Sequence, residues 1–148
     1  MFDSFLLKEG SLQNDVQNGE IVGFKFQVRI AEYRGCFLSL LHGYYVTVDG
    51  EEYGRELQSF EINGKTPRSF DEIKKCIWEH WDFGDWATLH VKKPGGLSKG
   101  VHRIGLKQGL LMQYGWSPKD QEMIDHTPDP VNTQGKQNET YYYEEELA

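Results

Sequence analysis

His80-Trp81-Asp82-Phe83-Gly84-Asp85-Trp86-Ala87-Thr88-Leu89-His90-Val91, then Lys92-Lys93-Pro94-Gly95-Gly96-Leu97-Ser98-Lys99-Gly100, then Val101-His102-Arg103-Ile104-Gly105-Leu106-Lys107, reads as strand, glycine-rich loop, strand. From Trp86 the period is two: Ala87, Leu89 and Val91 share one face, and Trp86, Thr88 and His90 the other. On the return, Ile104 and Leu106 alternate with Arg103 and Lys107. Strands with one polar and one apolar face suit an antiparallel sheet laid on a core. Three glycines and a proline give the connection more conformational freedom than a simple hairpin needs.

Working outward, the same alternation marks Ile21 to Ile30, where Val22, Phe24, Phe26, Val28 and Ile30 interleave with Lys25, Gln27 and Arg29. Tyr44, Val46 and Val48 make another strand face, and Asp49-Gly50 after it favours a type I′ turn. Leu57 to Ile62 reads as a strand closed by Asn63-Gly64, and Leu110 to Tyr114 as a further strand. Phe2 to Leu7 is a short strand or arm, Gln13 to Glu20 a polar stretch with an Asn18-Gly19 turn. One helix is expected. Ser69-Phe70-Asp71-Glu72 has the capping-box form, and Phe70, Ile73 and Ile77 space an apolar stripe over about two turns. The fold class is all-β: an antiparallel β-sandwich with one short helix, a jelly-roll-like barrel being the near alternative.

The 148 residues suffice for one domain burying roughly 70% of its unfolded surface. Hydrophobic content is only 38%, but 14% is aromatic, and each buried ring removes a large area from water. The net charge of -7 is uneven: from Ser117 onward eight acids face two lysines, leaving the body near neutral. A near-neutral body without a basic stripe argues against nucleic acid, and no basic amphipathic stretch points to a membrane surface. Cys36 and Cys76 sit among apolar residues and read as free buried thiols. The opening residues lack a signal peptide's basic and apolar regions, so the expected location is cytoplasmic. The expected organisation is a sandwich over residues 1–116 and an extended acidic tail over 117–148 that contacts a partner. In that tail Tyr141-Tyr142-Tyr143 precede Glu144-Glu145-Glu146. The tyrosines either close back on their own domain or anchor on another subunit, where tyrosine is favoured.

No self-sufficient catalytic set emerges. The Gly95 to Gly100 spacing imitates a phosphate loop, but Val101-His102 follows instead of Lys-Ser/Thr. Among His42, His80, His90, His102 and His126 there is no His-x-His pair for a metal, and His102 is the one best placed to face a site. Asp82 and Asp85 beside Trp81 and Trp86 suggest a glycosidase carboxylate pair, yet three residues apart they better suit turn capping. Trp81, Trp86 and Trp116 could alternatively form the stacking platform of a carbohydrate-binding module.

At Trp81-Asp82-Phe83-Gly84-Asp85-Trp86-Ala87 and Lys93-Pro94-Gly95-Gly96-Leu97, with Gly100 and His102, the chain resembles the small (β) subunit of bacterial C-glycoside deglycosidases. The Met1-Phe2-Asp3 opening, the single-domain size and the strand after Asp49-Gly50 fit too, so the likeness spans residues 1–116. The resemblance implies a β-sandwich that completes a TIM-barrel-like α subunit, which carries a divalent metal, typically manganese, and the acid–base residues. It implies 3-keto aromatic C-glycosides as substrates, cleaved between carbon and carbon by elimination at or near the interface. No catalytic, cofactor or metal residue transfers to this chain. The residues expected to face partner or substrate are Trp81, Phe83, Trp86, Gly95, Gly96, His102, Tyr141, Tyr142 and Tyr143.

Overall fold

The computed structural model describes residues 6–29, 36–82, 84–110 and 141–147. It is an antiparallel β-sandwich of a five-stranded and a four-stranded sheet. The strands are β1 (Gln13–Gln17), β2 (Glu20–Val28), β3 (Cys36–Phe37), β4 (Leu41–Val48), β5 (Glu51–Tyr53), β6 (Gln58–Glu61), β7 (Arg68–Ser69), β8 (His80–Trp81), β9 (Ala87–Lys92), β10 (Gly100–Leu110) and β11 (Tyr141–Leu147). One sheet runs β1-β2-β9-β6-β7 and the other β11-β10-β4-β5, with β3 and β8 a separate short pair.

The alternation behaves as read. Phe24, Phe26 and Val28, Ala87, Leu89 and Val91, Tyr44, Val46 and Val48, and Ile104 and Leu106 all enter the core. Phe60 sits near its middle, 5.2 Å from the Trp81 ring and 5.6 Å from the Phe70 ring. Gln58 is the buried polar bridge: its amide accepts from Tyr44 N and donates to the Tyr44 and Tyr53 carbonyls, tying the two sheets together. Asp49 and Gly50 have φ of 52° and 87°, as a type I′ hairpin requires.

Two expectations change, for Gln13–Gln17 and for the helix length, and two open points receive an answer. The glycine-rich connection is no hairpin, because β9 belongs to one sheet and β10 to the other, so Lys93–Lys99 crosses between layers. Consequently His90 and His102 are on strands that are not neighbours. Gln13–Gln17, read as a polar stretch, is an edge strand, and Asn18-Gly19 is its hairpin turn with both φ positive. The helix α1 (Phe70–Ile73) forms with both bonds of its capping box, but it stops after four residues, leaving Ile77 half-buried beyond it. Tyr141–Leu147 pairs with β10 as a strand of its own domain. Phe83, Trp116, His126, most of Leu110–Tyr114 and the tail before Tyr141 lie outside the described residues. Among the described residues no helix is long and apolar enough to cross a membrane.

Candidate functional site

The crossover loop is held from both sides. Asn14 on β1 reaches it with a paired bond: its carbonyl accepts from Leu97 N at 2.8 Å and its amide donates to Leu97 O at 3.1 Å. Gly95 N donates to Ile21 O and Lys93 N to Val22 O, continuing the ladder past β9. Gly95 and Gly96 adopt φ of 83° and 64°, and a Cβ on Gly96 would lie 2.4 Å from the Asn14 carbonyl oxygen. Glycine is therefore required there both by backbone conformation and by the approach of Asn14.

On the far side His102 clamps the loop to the β4–β5 turn. Its Nδ1 lies 2.6 Å from Asp49 Oδ2 and its Nε2 2.7 Å from the Ser98 carbonyl oxygen. Both neighbours are acceptors, an arrangement that the doubly protonated ring satisfies in full. The Ser98 carbonyl first, then the Asp49 carboxylate, raise the His102 pKa above its ordinary value. The Arg103 N–H, donating to Asp49 Oδ1 at 2.9 Å, and then His102 hold Asp49 below the usual carboxylate range. His102 is buried, so it acts inward on the loop and presents little to a ligand.

The aromatic loop ahead of β9 splits in two. Trp81 is fully buried, its Nε1 donating to Asp85 O at 2.9 Å, and is a core side chain rather than an open platform. Asp85 N in turn donates to Asp82 O, so these acids close a turn. Trp86 is 36% exposed, with Lys8 Nζ and Arg29 Cζ each 5.5 Å from its ring centroid. That is an indole with cations over its π system. Among the described residues Trp81 and Trp86 thus do not share one stacking surface.

A group the sequence did not reveal sits on the outer face of the five-stranded sheet. His90 lies between Asp15 Oδ2 at 2.8 Å from Nδ1 and Glu61 Oε1 at 2.7 Å from Nε2. Three strands contribute one residue each, which no local motif could announce. Gly23 allows the approach of β2 to β9 here, since a Cβ would fall 1.9 Å from the Val91 carbonyl oxygen. A cavity of about 360 Å³ adjoins the cluster, lined also by Gln17, Glu56, Ser59 and Lys92. A carboxylate oxygen lies within hydrogen-bond distance of each imidazole nitrogen. Among the described residues no group of three or more His, Cys, Asp or Glu side chains could hold a metal ion.

The tyrosines divide by strand alternation. Tyr143 faces inward, its hydroxyl accepting from Leu6 N at 3.2 Å, and Glu145 accepts from Gly10 N at 2.8 Å. Tyr142 faces out at 57% exposure, with the Arg103 guanidinium 4.5 Å over its ring. Of Tyr141 only its backbone place opposite Leu106 is described.

Two comparisons bear on this arrangement. The family model described as C-glycoside deglycosidase beta subunit matches residues 2–114. The chain is also similar to the C-glycoside deglycosidase beta subunit of Eubacterium cellulosolvens, 37% identical over 101 residues that cover 68% of this chain and 67% of that protein. The matched region takes in the crossover loop, Asn14, Asp49, His90 and His102, and stops before β11.

Proposed function

Because the chain belongs to the C-glycoside deglycosidase beta subunit family, we propose that it completes a catalytic α subunit, TIM-barrel-like, in the cytoplasm. The complex would cleave the carbon–carbon bond between aglycone and sugar in 3-keto C-glycosides. The observation that carries this reading is the match over residues 2–114.

The chemistry is elimination. A ketone at C3 acidifies the proton at C2, and a base removes it to leave an enolate. The enolate collapses back to the ketone, C1 and C2 become doubly bonded, and the aryl carbon departs with the C1 bonding pair. That carbon takes up a proton, giving free aglycone and an unsaturated keto sugar. A divalent metal in the α subunit, manganese by family expectation, supplies Lewis-acid stabilisation of the negative charge.

This chain's contribution is shape. The crossover loop, fixed by Asn14 and His102, offers a rigid edge of Lys93, Pro94, Gly95 and Ser98. Trp86 with its flanking Lys8 and Arg29 offers an aromatic, cationic surface at the other end of β9. Packed on the α subunit's open face, either would exclude water around the enolate. The test is to purify each subunit alone and mixed, then assay a 3-keto C-glycoside with manganese. Turnover is expected only from the mixture; full activity from the α subunit alone would defeat the reading.

A further inference from the structure

Asp15 meets its partner across an intervening strand. It stands opposite Gly23 in the β1–β2 pair, and Gly23 in turn stands opposite Lys92 on β9. Gly23 brings no side chain between the Asp15 carboxylate and His90, whose Nδ1 lies 2.8 Å from Asp15 Oδ2. Glu61, 2.7 Å from Nε2, holds the ring from the other side. Asp15 is only 6% exposed, but its second oxygen, Oδ1, has no hydrogen-bond donor among the described residues. A buried carboxylate oxygen without a donor carries a desolvation cost that a bound hydroxyl would remove.

The cavity that Asp15 lines has a volume of about 360 Å³, within the roughly 300–1,000 Å³ of small-molecule sites. Every residue lining it belongs to the described part of the chain. Val22 and Leu57 give it apolar walls, and Gln17, Glu56, Ser59 and Lys92 bring polar side chains. Among the described residues none of those four side chains has a hydrogen-bond or ion-pair partner. Asp15 and Glu56 disfavour an anion and Lys92 a cation, which leaves a neutral ligand as the best match. Donors from Lys92 and Gln17, acceptors from Asp15 and Glu56, and the Ser59 hydroxyl suit a ligand carrying several hydroxyls, each both donor and acceptor. The apolar walls suit the C–H faces of its ring.

We propose that this cavity binds a single neutral sugar ring, with Asp15 Oδ1 accepting from one hydroxyl. His90 is a positioning residue there, holding the Asp15 carboxylate in place. No aromatic side chain lines the cavity, so stacking adds nothing and affinity is expected in the millimolar range. The site goes beyond the subunit reading and does not depend on it. The experiment titrates the isotope-labelled full chain with glucose, glucosamine and glucuronate, following backbone amides by NMR. Glucose is expected to give saturable shifts at Gln17, Ser59 and Lys92 while Trp86 stays still, and the cationic and anionic sugars to bind more weakly. Asp15→Asn is expected to weaken glucose binding roughly tenfold. Glu56→Gln/Lys92→Gln changes two exposed positions outside the Asp15–His90–Glu61 group, keeps the fold, and should weaken it by a similar factor. Absence of saturable shifts with glucose overturns the proposal. Shifts centred on Trp86 overturn it in favour of the open indole surface. Tighter binding of glucosamine or glucuronate makes this a charge-selective site and also overturns it, as does unchanged glucose affinity in the double variant. None of these outcomes bears on whether the chain joins the α subunit, which the mixing assay tests separately.

Discussion

Replacing His102 with glutamine tests whether the crossover loop is held by a charge. The imidazolium donates to two acceptors, the Asp49 carboxylate at 2.6 Å and the Ser98 carbonyl at 2.7 Å. A glutamine amide keeps a donor but brings neither the positive charge nor the fixed span between two ring nitrogens. A hydrogen bond to a charged group contributes roughly 1.5–3 kcal/mol. Asp49 has a side chain 53% exposed, so solvent screening puts this pair at the low end. His102→Gln is therefore expected to cost about 2 kcal/mol near pH 6, a fall of about 4–8 °C in Tm for a chain of this size. The sign with pH follows from the shifts. His102 has a folded pKa above 6.5, so its contribution is complete below 6.5 and is lost as pH rises through the folded value. Asp49 is shifted below 3.8, so its contribution is complete above 3.8 and fades as pH falls through its lower folded value. The wild-type advantage should be greatest between these limits and should shrink as pH rises through the folded His102 value, because a neutral ring has only one donor. Urea unfolding of both proteins at pH 5.5, 7 and 9 isolates the effect, since every other titrating group cancels in the difference. A penalty equal at all three pH values would refute the charged clamp.

Three other perturbations follow the same logic. Phe60→Ala empties the meeting point of Tyr44, Phe70 and Trp81 and is expected to cost about 3–5 kcal/mol, read from denaturant midpoints. Asn14→Ala removes both bonds to Leu97, costing about 2 kcal/mol and speeding amide exchange at Leu97 more than at Phe26. Glu79, held at about 2 chiefly by Arg68, contributes stability that disappears as pH falls from 4.5 towards 2. Glu79→Gln should flatten the acid-unfolding curve over that range; an unchanged slope would show that the Arg68 pair adds nothing to stability.

Features encoded within a few residues were legible before the fold was. Val22 to Val28 and Tyr44 to Val48 alternate because one side of each strand meets the core. Asp49-Gly50 and Ser69…Glu72 carry their geometry in side chains three or fewer positions apart. β1 escaped notice because an edge strand with a single buried position, Asp15, shows no hydrophobic alternation. The helix read as longer than it is, since Ile77 fits a helical stripe while the chain turns away after Lys74. Whether Lys93–Lys99 is a hairpin or a crossover depends on which sheet receives β10, a matter of packing between strands far apart in sequence. The Asp15–His90–Glu61 group was hidden for the same reason, its members spread over three strands. Trp81 looked exposed only because its loop is polar; the short pairing of Cys36 with Trp81 turns the indole inward against Phe60.

The bond between Leu6 and Tyr143 spans 137 positions. Contacts that distant form late and slow a chain's folding, because a long loop must close before they reward it. During synthesis β10 emerges well before β11, so its flank stays bare for the time taken to translate the intervening segment. A nascent sandwich in that condition has a sticky side, and a chaperone or an early-arriving assembly partner would find it before the chain's own last strand does.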